Sequence, residues 1–151
     1  MPNQSKIKVT HLGMAHDGRS SAKAIREMKQ NPRYVWKGEV LGWQVRQELK
    51  RSHLMVISSR AEGGANVISE AVVAGVPVIA SKIDGNVGLL GKNYRGYYPV
   101  GNTKELRKVI LKAETDNVFF QSLTNQCNYI KSKFTIEREQ KSWRKLIKKI
   151  T

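Results

Sequence analysis

This chain of 151 residues is short of three things: it has one cysteine, three histidines, and only 12 acidic residues against 27 lysines and arginines. A lone cysteine, Cys127, cannot close an internal disulfide, which excludes a disulfide-stapled scaffold and fits a reducing compartment. Its ordinary role is packing within a helix. No paired Cys or His spacing suggests a metal-ligand set, so no metal is expected. The order of residues supports no Ser-His-Asp arrangement either. No apolar run approaches the roughly 20 residues that a membrane-spanning helix needs. The opening Met1-Pro2-Asn3-Gln4-Ser5-Lys6 has no apolar signal core, so a cytoplasmic location is expected. Aromatic residues make up only 7%, and no interleaved aromatic platform or known reading motif accompanies the positive charge, so no specific nucleic-acid partner is expected.

What is abundant is positive charge, a net +15, which calls for an acidic partner: nucleic acid, an anionic membrane surface or a phosphorylated small molecule. The charge alone does not choose among them. It peaks in Lys141, Arg144, Lys145, Lys148 and Lys149, interleaved with Trp143, Leu146, Ile147 and Ile150. That spacing is an amphipathic helix with a basic outer face, either solvated or set against a membrane surface or another domain. With 40% apolar residues, the length suits one compact domain, residues 1–151, with a real core.

The apolar period alternates between strand-like runs and helix-like stretches, the pattern of repeated β-α units. Strands are predicted at 8–13, 34–36, 54–58, 76–80 and 97–100. Leu54-Met55-Val56-Ile57 reads as a strand buried on both faces, and Pro77 sits near a strand start, where a missing donor is tolerated. Helices are predicted at 20–28, capped by Ser20 or Ser21, and at 43–52, 65–74, 103–114, 118–131 and 136–150, with a glycine-rich loop at 84–96. The fold class is α/β, a Rossmann-like doubly wound parallel sheet with helices on both faces.

The segment that carries chemistry is Ser58-Ser59-Arg60-Ala61-Glu62-Gly63-Gly64-Ala65-Asn66-Val67-Ile68-Ser69-Glu70-Ala71. A buried strand ends, two glycines let the backbone turn, and a helix begins with unpaired N–H groups suited to a phosphate or a polar sugar. Asn66 and Glu70, four apart, share a helix face. A carboxylate there can accept two hydroxyl hydrogen bonds at once, as a ribose diol offers. On these grounds alone, Glu70 could equally be a solvated helix residue.

Glu62, the glycines, Glu70 and the following Ala71-Val72-Val73-Ala74-Gly75-Val76-Pro77-Val78-Ile79-Ala80-Ser81 resemble the retaining glycosyltransferases of the GT-B fold, family 4 (group 1). Gly38-Glu39-Val40 and Gly96-Tyr97-Tyr98-Pro99-Val100-Gly101-Asn102 are similar to further segments of that family, so the resemblance covers residues 34–115. It implies the C-terminal, donor-binding half of a two-domain enzyme that transfers a glycosyl group from a nucleotide diphosphate sugar, such as a uridine diphosphate sugar, with retention and without a metal. Glu62 would be the catalytic-site carboxylate beside the donor sugar hydroxyls. The amides of Gly63, Gly64 and Ala65 would face sugar or diphosphate, Asn66 would lie near them, Glu70 would hold the ribose, and Val40 would lie near the base.

The partners implied are the N-terminal acceptor domain, without which the chain would transfer nothing, a second copy paired along an open sheet edge, and weakly an anionic membrane surface. The family's Arg and Lys diphosphate clamp falls ahead of Val9-Thr10-His11-Leu12-Gly13, so the sheet should lack its first strand, and Arg19 and Lys23 are read as a solvated helix face. In Lys82-Ile83-Asp84-Gly85-Asn86-Val87-Gly88 the family's Glu position holds Gly88, leaving Asp84 and Asn86 as candidate sugar contacts. The glutamate and Asp84 strings look most like a bacterial subgroup associated with selenosugar synthesis. His11, His16 and His53 read as structural or solvated. An epimerase acting on the same donors, a basic polyanion-binding module and a non-enzymatic scaffold are the alternatives.

Overall fold

A computed structural model describes residues 2, 4–15, 17–61, 63, 65–134, 140, 143–145 and 147. The elements run β1 (Val9–His11), α1 (Gly18–Gln30), β2 (Tyr34–Trp36), α2 (Gly42–Arg51), β3 (Met55–Ile57), α3 (Asn66–Val73), β4 (Val78–Ser81), α4 (Asp84–Leu90), β5 (Tyr97–Tyr98), α5 (Thr103–Thr115) and α6 (Asn117–Lys131). All strand pairings are parallel, β1 with β2 in one sheet and β3-β4-β5 in another.

The chain divides into two compact units, Met1–Glu48 and Leu49–Thr151. In the first, Val9, Thr10 and His11 register with Tyr34, Val35 and Trp36. The Trp36 indole N–H donates to the Gly13 carbonyl at 2.9 Å, and the Gly13 N–H donates to the Gly38 carbonyl at 2.8 Å, joining the two strand ends. Helix α1 starts earlier than predicted, because Asp17, not Ser20 or Ser21, is its cap. The Asp17 carboxylate accepts the Ser20 N–H, and this bond holds its carboxyl below the usual range.

In the second unit β4 lies between β3 and β5 and is buried along its length. Ile68 and Val72 of α3, Val78 and Ile79 of β4, and Leu123 of α6 are all 0% exposed. Each such side chain contributes on the order of 1.5–3 kcal/mol when removed from water. Pro77 precedes β4, and its carbonyl accepts the Met55 N–H at 2.9 Å, so its missing donor breaks no ladder bond. Cys127, within α6, is 1% exposed, with its Sγ 3.4 Å from the Tyr94 hydroxyl.

Two expectations change here. Val56 is 41% exposed while Met55 and Ile57 are buried, so β3 is covered on one face only. A short apolar run does not reveal whether both faces find a partner. Residues 84–96 are not a continuous loop, since Asp84–Leu90 forms α4. Asp84 suits the positive end of that helix, Ile83, Val87 and Leu90 recur at helical spacing, and Gly91 ends it at φ 87°. Helices α5 and α6 lie where predicted. The helix predicted at 136–150 lies largely outside the described residues, among which Trp143 is 58% exposed.

Candidate functional site

The site is built where β3 and β4 end. From Ile57 the chain runs through Ser58, Ser59, Arg60, Ala61 and Gly63 to the start of α3. Carboxyl ends of parallel strands are where ligands collect in such sheets. Ala65, at the N-cap with φ −79° and ψ 107°, offers no side-chain acceptor, so the opening amides of α3 are not capped by a side chain. Asn66 is exposed at the first turn. Glu70 is half-buried one turn further on, and its carbonyl accepts the Ala74 N–H.

Glu62 and Gly64 lie outside the described residues. A Cβ built at Gly63 would meet no heavy atom within 4 Å.

A buried polar network lies beneath the loop, and sequence reasoning missed most of it. Ser81, 0% exposed at the end of β4, donates its hydroxyl to the Ser59 carbonyl at 2.6 Å. The Asn86 side-chain amide lies 2.9 Å from the Ser81 carbonyl and 3.3 Å from its hydroxyl oxygen. The Tyr97 hydroxyl lies 3.2 Å from the Asn86 carbonyl and 3.0 Å from that of Gly91, and burial pushes its phenol up to about 12. The Tyr98 hydroxyl donates to the Ile57 carbonyl at 3.3 Å. Asn86 is 0% exposed, so in this conformation its side chain braces Ser81 and does not reach out to a sugar. Asp84, beside it, is exposed. The Ala-Ser at the strand end was the signal for Ser81, whereas its Ser59 partner, 22 residues away, left none in the sequence.

Val40 is half-buried in the first unit and stands apart in sequence from the residues above. His11 pairs through Nδ1 with the Tyr34 hydroxyl at 2.7 Å, a structural role. His53, Arg19 and Lys23 are exposed, and His16 lies outside the described residues. No helix among the described residues is long and apolar enough to cross a membrane.

The profile of the family described as Glycosyl transferases group 1 matches residues 3–133. The chain belongs to this family. Its fold also matches solved structures. A mutant of S. aureus TarM, in complex with fondaparinux, alpha-GlcNAc-glycerol and UDP, superposes with a TM-score of 0.75 at 22% identity, over 92% of this chain and 28% of that one. Anabaena HepE with UDP and glucose gives 0.79 at 20% identity, over 95% and 41%. The pneumococcal O-GlcNAc transferase GtfA with UDP and GlcNAc gives 0.72 at 16% identity, over 95% and 29%. This group 1 chain therefore spans between 28% and 41% of the length of these three structures. A comparison with curated protein sequences gives no match.

Proposed function

We propose that this chain is the donor-binding domain of a retaining glycosyltransferase and that it holds a nucleotide diphosphate sugar at the start of α3. The observation that carries this reading is the conjunction at one strand end of an uncapped helix start, a glycine with open space above it, and Glu70 on the same helix. The UDP and sugar in the HepE and GtfA structures support it by family likeness. The amides of Gly63, Gly64 and Ala65 would face the diphosphate, where negative charge grows as the bond from the anomeric carbon to the diphosphate oxygen breaks. Glu62, the catalytic-site carboxylate, would hold sugar hydroxyls, with Asn66 and Asp84 beside them, Glu70 on the ribose and Val40 near the base.

The acceptor would be bound by a second, N-terminal domain of the kind the longer relatives have room for, so this chain by itself binds donor and transfers nothing. A cytoplasmic location, weak attraction to an anionic membrane surface and pairing of two copies along an open strand edge complete the reading. The scheme uses no metal, so a chelator should leave donor binding unchanged.

Calorimetric titration with UDP and UDP-glucose tests the proposal. Glu70→Gln should weaken both ligands about tenfold or more, since charge-assisted hydrogen bonds are worth roughly 1.5–3 kcal/mol and 1.4 kcal/mol is tenfold. Glu62→Gln should spare UDP and weaken UDP-glucose alone. Glu70→Gln binding UDP as tightly as the parent would overturn the ribose assignment, and a parent that binds no nucleotide would overturn the donor reading itself.

A further inference from the structure

We infer that Ser81 and Asn86 are positioning residues that fix the path of the loop between β3 and α3. The loop leaves β3 at Ile57, and the Ser59 carbonyl, two residues on, is held by the Ser81 hydroxyl at 2.6 Å. A serine hydroxyl has one proton to give. The Asn86 amide, donating to the Ser81 hydroxyl oxygen at 3.3 Å and to its carbonyl at 2.9 Å, leaves that proton committed to Ser59. The Tyr97 hydroxyl reaches back to α4, 3.2 Å from the Asn86 backbone carbonyl and 3.0 Å from the carbonyl of Gly91 at its end. Loop, β4, α4 and β5 are thus joined by one chain of hydrogen bonds whose central members, Ser81 and Asn86, are both 0% exposed. Water cannot substitute for bonds made there, so losing one leaves a buried group unpaired.

Asn86 also carries a cost that argues for a role beyond packing. Its side-chain carbonyl oxygen is enclosed and has no hydrogen-bond partner, a loss on the order of 1–3 kcal/mol for a buried polar group. An apolar side chain in the same space would avoid that cost and would leave Ser81 unheld. The asparagine therefore fits a site where holding the serine matters more than stability. The consequence for nucleotide binding rests on the donor reading above, but the positioning itself does not.

The test uses the full chain with Ser81→Ala, Ser81→Thr and Asn86→Leu. Backbone order parameters are measured by NMR at Ser59, Arg60 and Ala61, with Ile79 in β4 as reference, alongside UDP titration. Ser81→Ala and Asn86→Leu should move the loop from the rigid range near about 0.85 towards the flexible range below about 0.6, with Ile79 unchanged and Ser81→Thr restoring the loop. Loop values unchanged in Ser81→Ala, or a fall at Ile79 equal to that in the loop, would overturn the positioning role. Ser81→Ala covers the case in which Asn86→Leu fails to fold. A loosened loop that still binds UDP with parental affinity would uphold the positioning and sink the claim that this loop holds the donor.

Discussion

Gly96 backs directly onto Val78: a Cβ placed on it would run into the Val78 carbonyl oxygen, and it would also lie 2.6 Å from Tyr94 Cε1 and 3.2 Å from Leu123 Cδ2. The Gly96 carbonyl meanwhile accepts the Ala80 N–H at 3.0 Å, so the glycine cannot retreat without loosening β5 from β4. Overpacking in a core costs typically about 1–3 kcal/mol, and more when the obstacle is backbone. Gly96→Ala should lose at least about 2 kcal/mol in urea unfolding. An unchanged midpoint would mean that the strands separate more easily than their packing indicates.

The helices at 103–114 and 118–131 and the strand at 34–36 were legible because each has a strong period and a stop signal at its ends. Helix α4 was not, because Gly85 and Gly88 mimic loop punctuation and mask the spacing of Ile83, Val87 and Leu90. The Asp17 cap was hidden by the serines that follow it. At the site, the placement of Asn66 and Glu70 on one helix followed from local spacing. The burial of Asn86 and the tie from Ser81 to Ser59 could not, since both depend on elements distant in sequence.

Asp116 ends one helix and starts the next. Its N–H donates to the Lys112 carbonyl at 2.8 Å, closing α5, and its carboxylate accepts the Phe119 N–H at 2.9 Å, opening α6. Asp116→Ala should cost roughly 1 kcal/mol, within the usual range for losing an N-cap, while Asp116→Asn should be nearly neutral. Thermal unfolding of the two variants checks this, and equal midpoints would show that the cap contributes nothing at this junction.

Burial raises the phenol pKa of Tyr94, Tyr97 and Tyr98, to about 12 for Tyr97. An unfolded tyrosine ionises near about 10, so above that pH the unfolded chain sheds protons that the folded one keeps. Stability tied to these groups is therefore fully present below pH 10 and is lost as pH rises from there through about 12. Phenolate absorbance and circular dichroism should change together in this window, and Tyr97→Phe should make the loss less steep. Ionisation of these tyrosines near pH 10 with the fold intact would contradict the argument.

Gly63 separates binding from stability. Because a Cβ at Gly63 would find open space, alanine fits the folded chain without a clash. Alanine also narrows the unfolded ensemble, a gain of about 0.4–1 kcal/mol where the native conformation allows it. Gly63→Ala should thus leave stability unchanged or slightly higher. If a diphosphate approaches the backbone at this position, the added methyl occupies the space it needs, and UDP affinity should fall about tenfold, or 1.4 kcal/mol. Gly91→Ala provides the opposite control: with φ at 87° it should lose stability and keep its UDP affinity among folded molecules. Calorimetry and urea unfolding on both variants separate the cases. A Gly63→Ala chain that binds UDP as tightly as the parent would show that the ligand passes elsewhere, and one that loses stability would show that the glycine serves the fold after all.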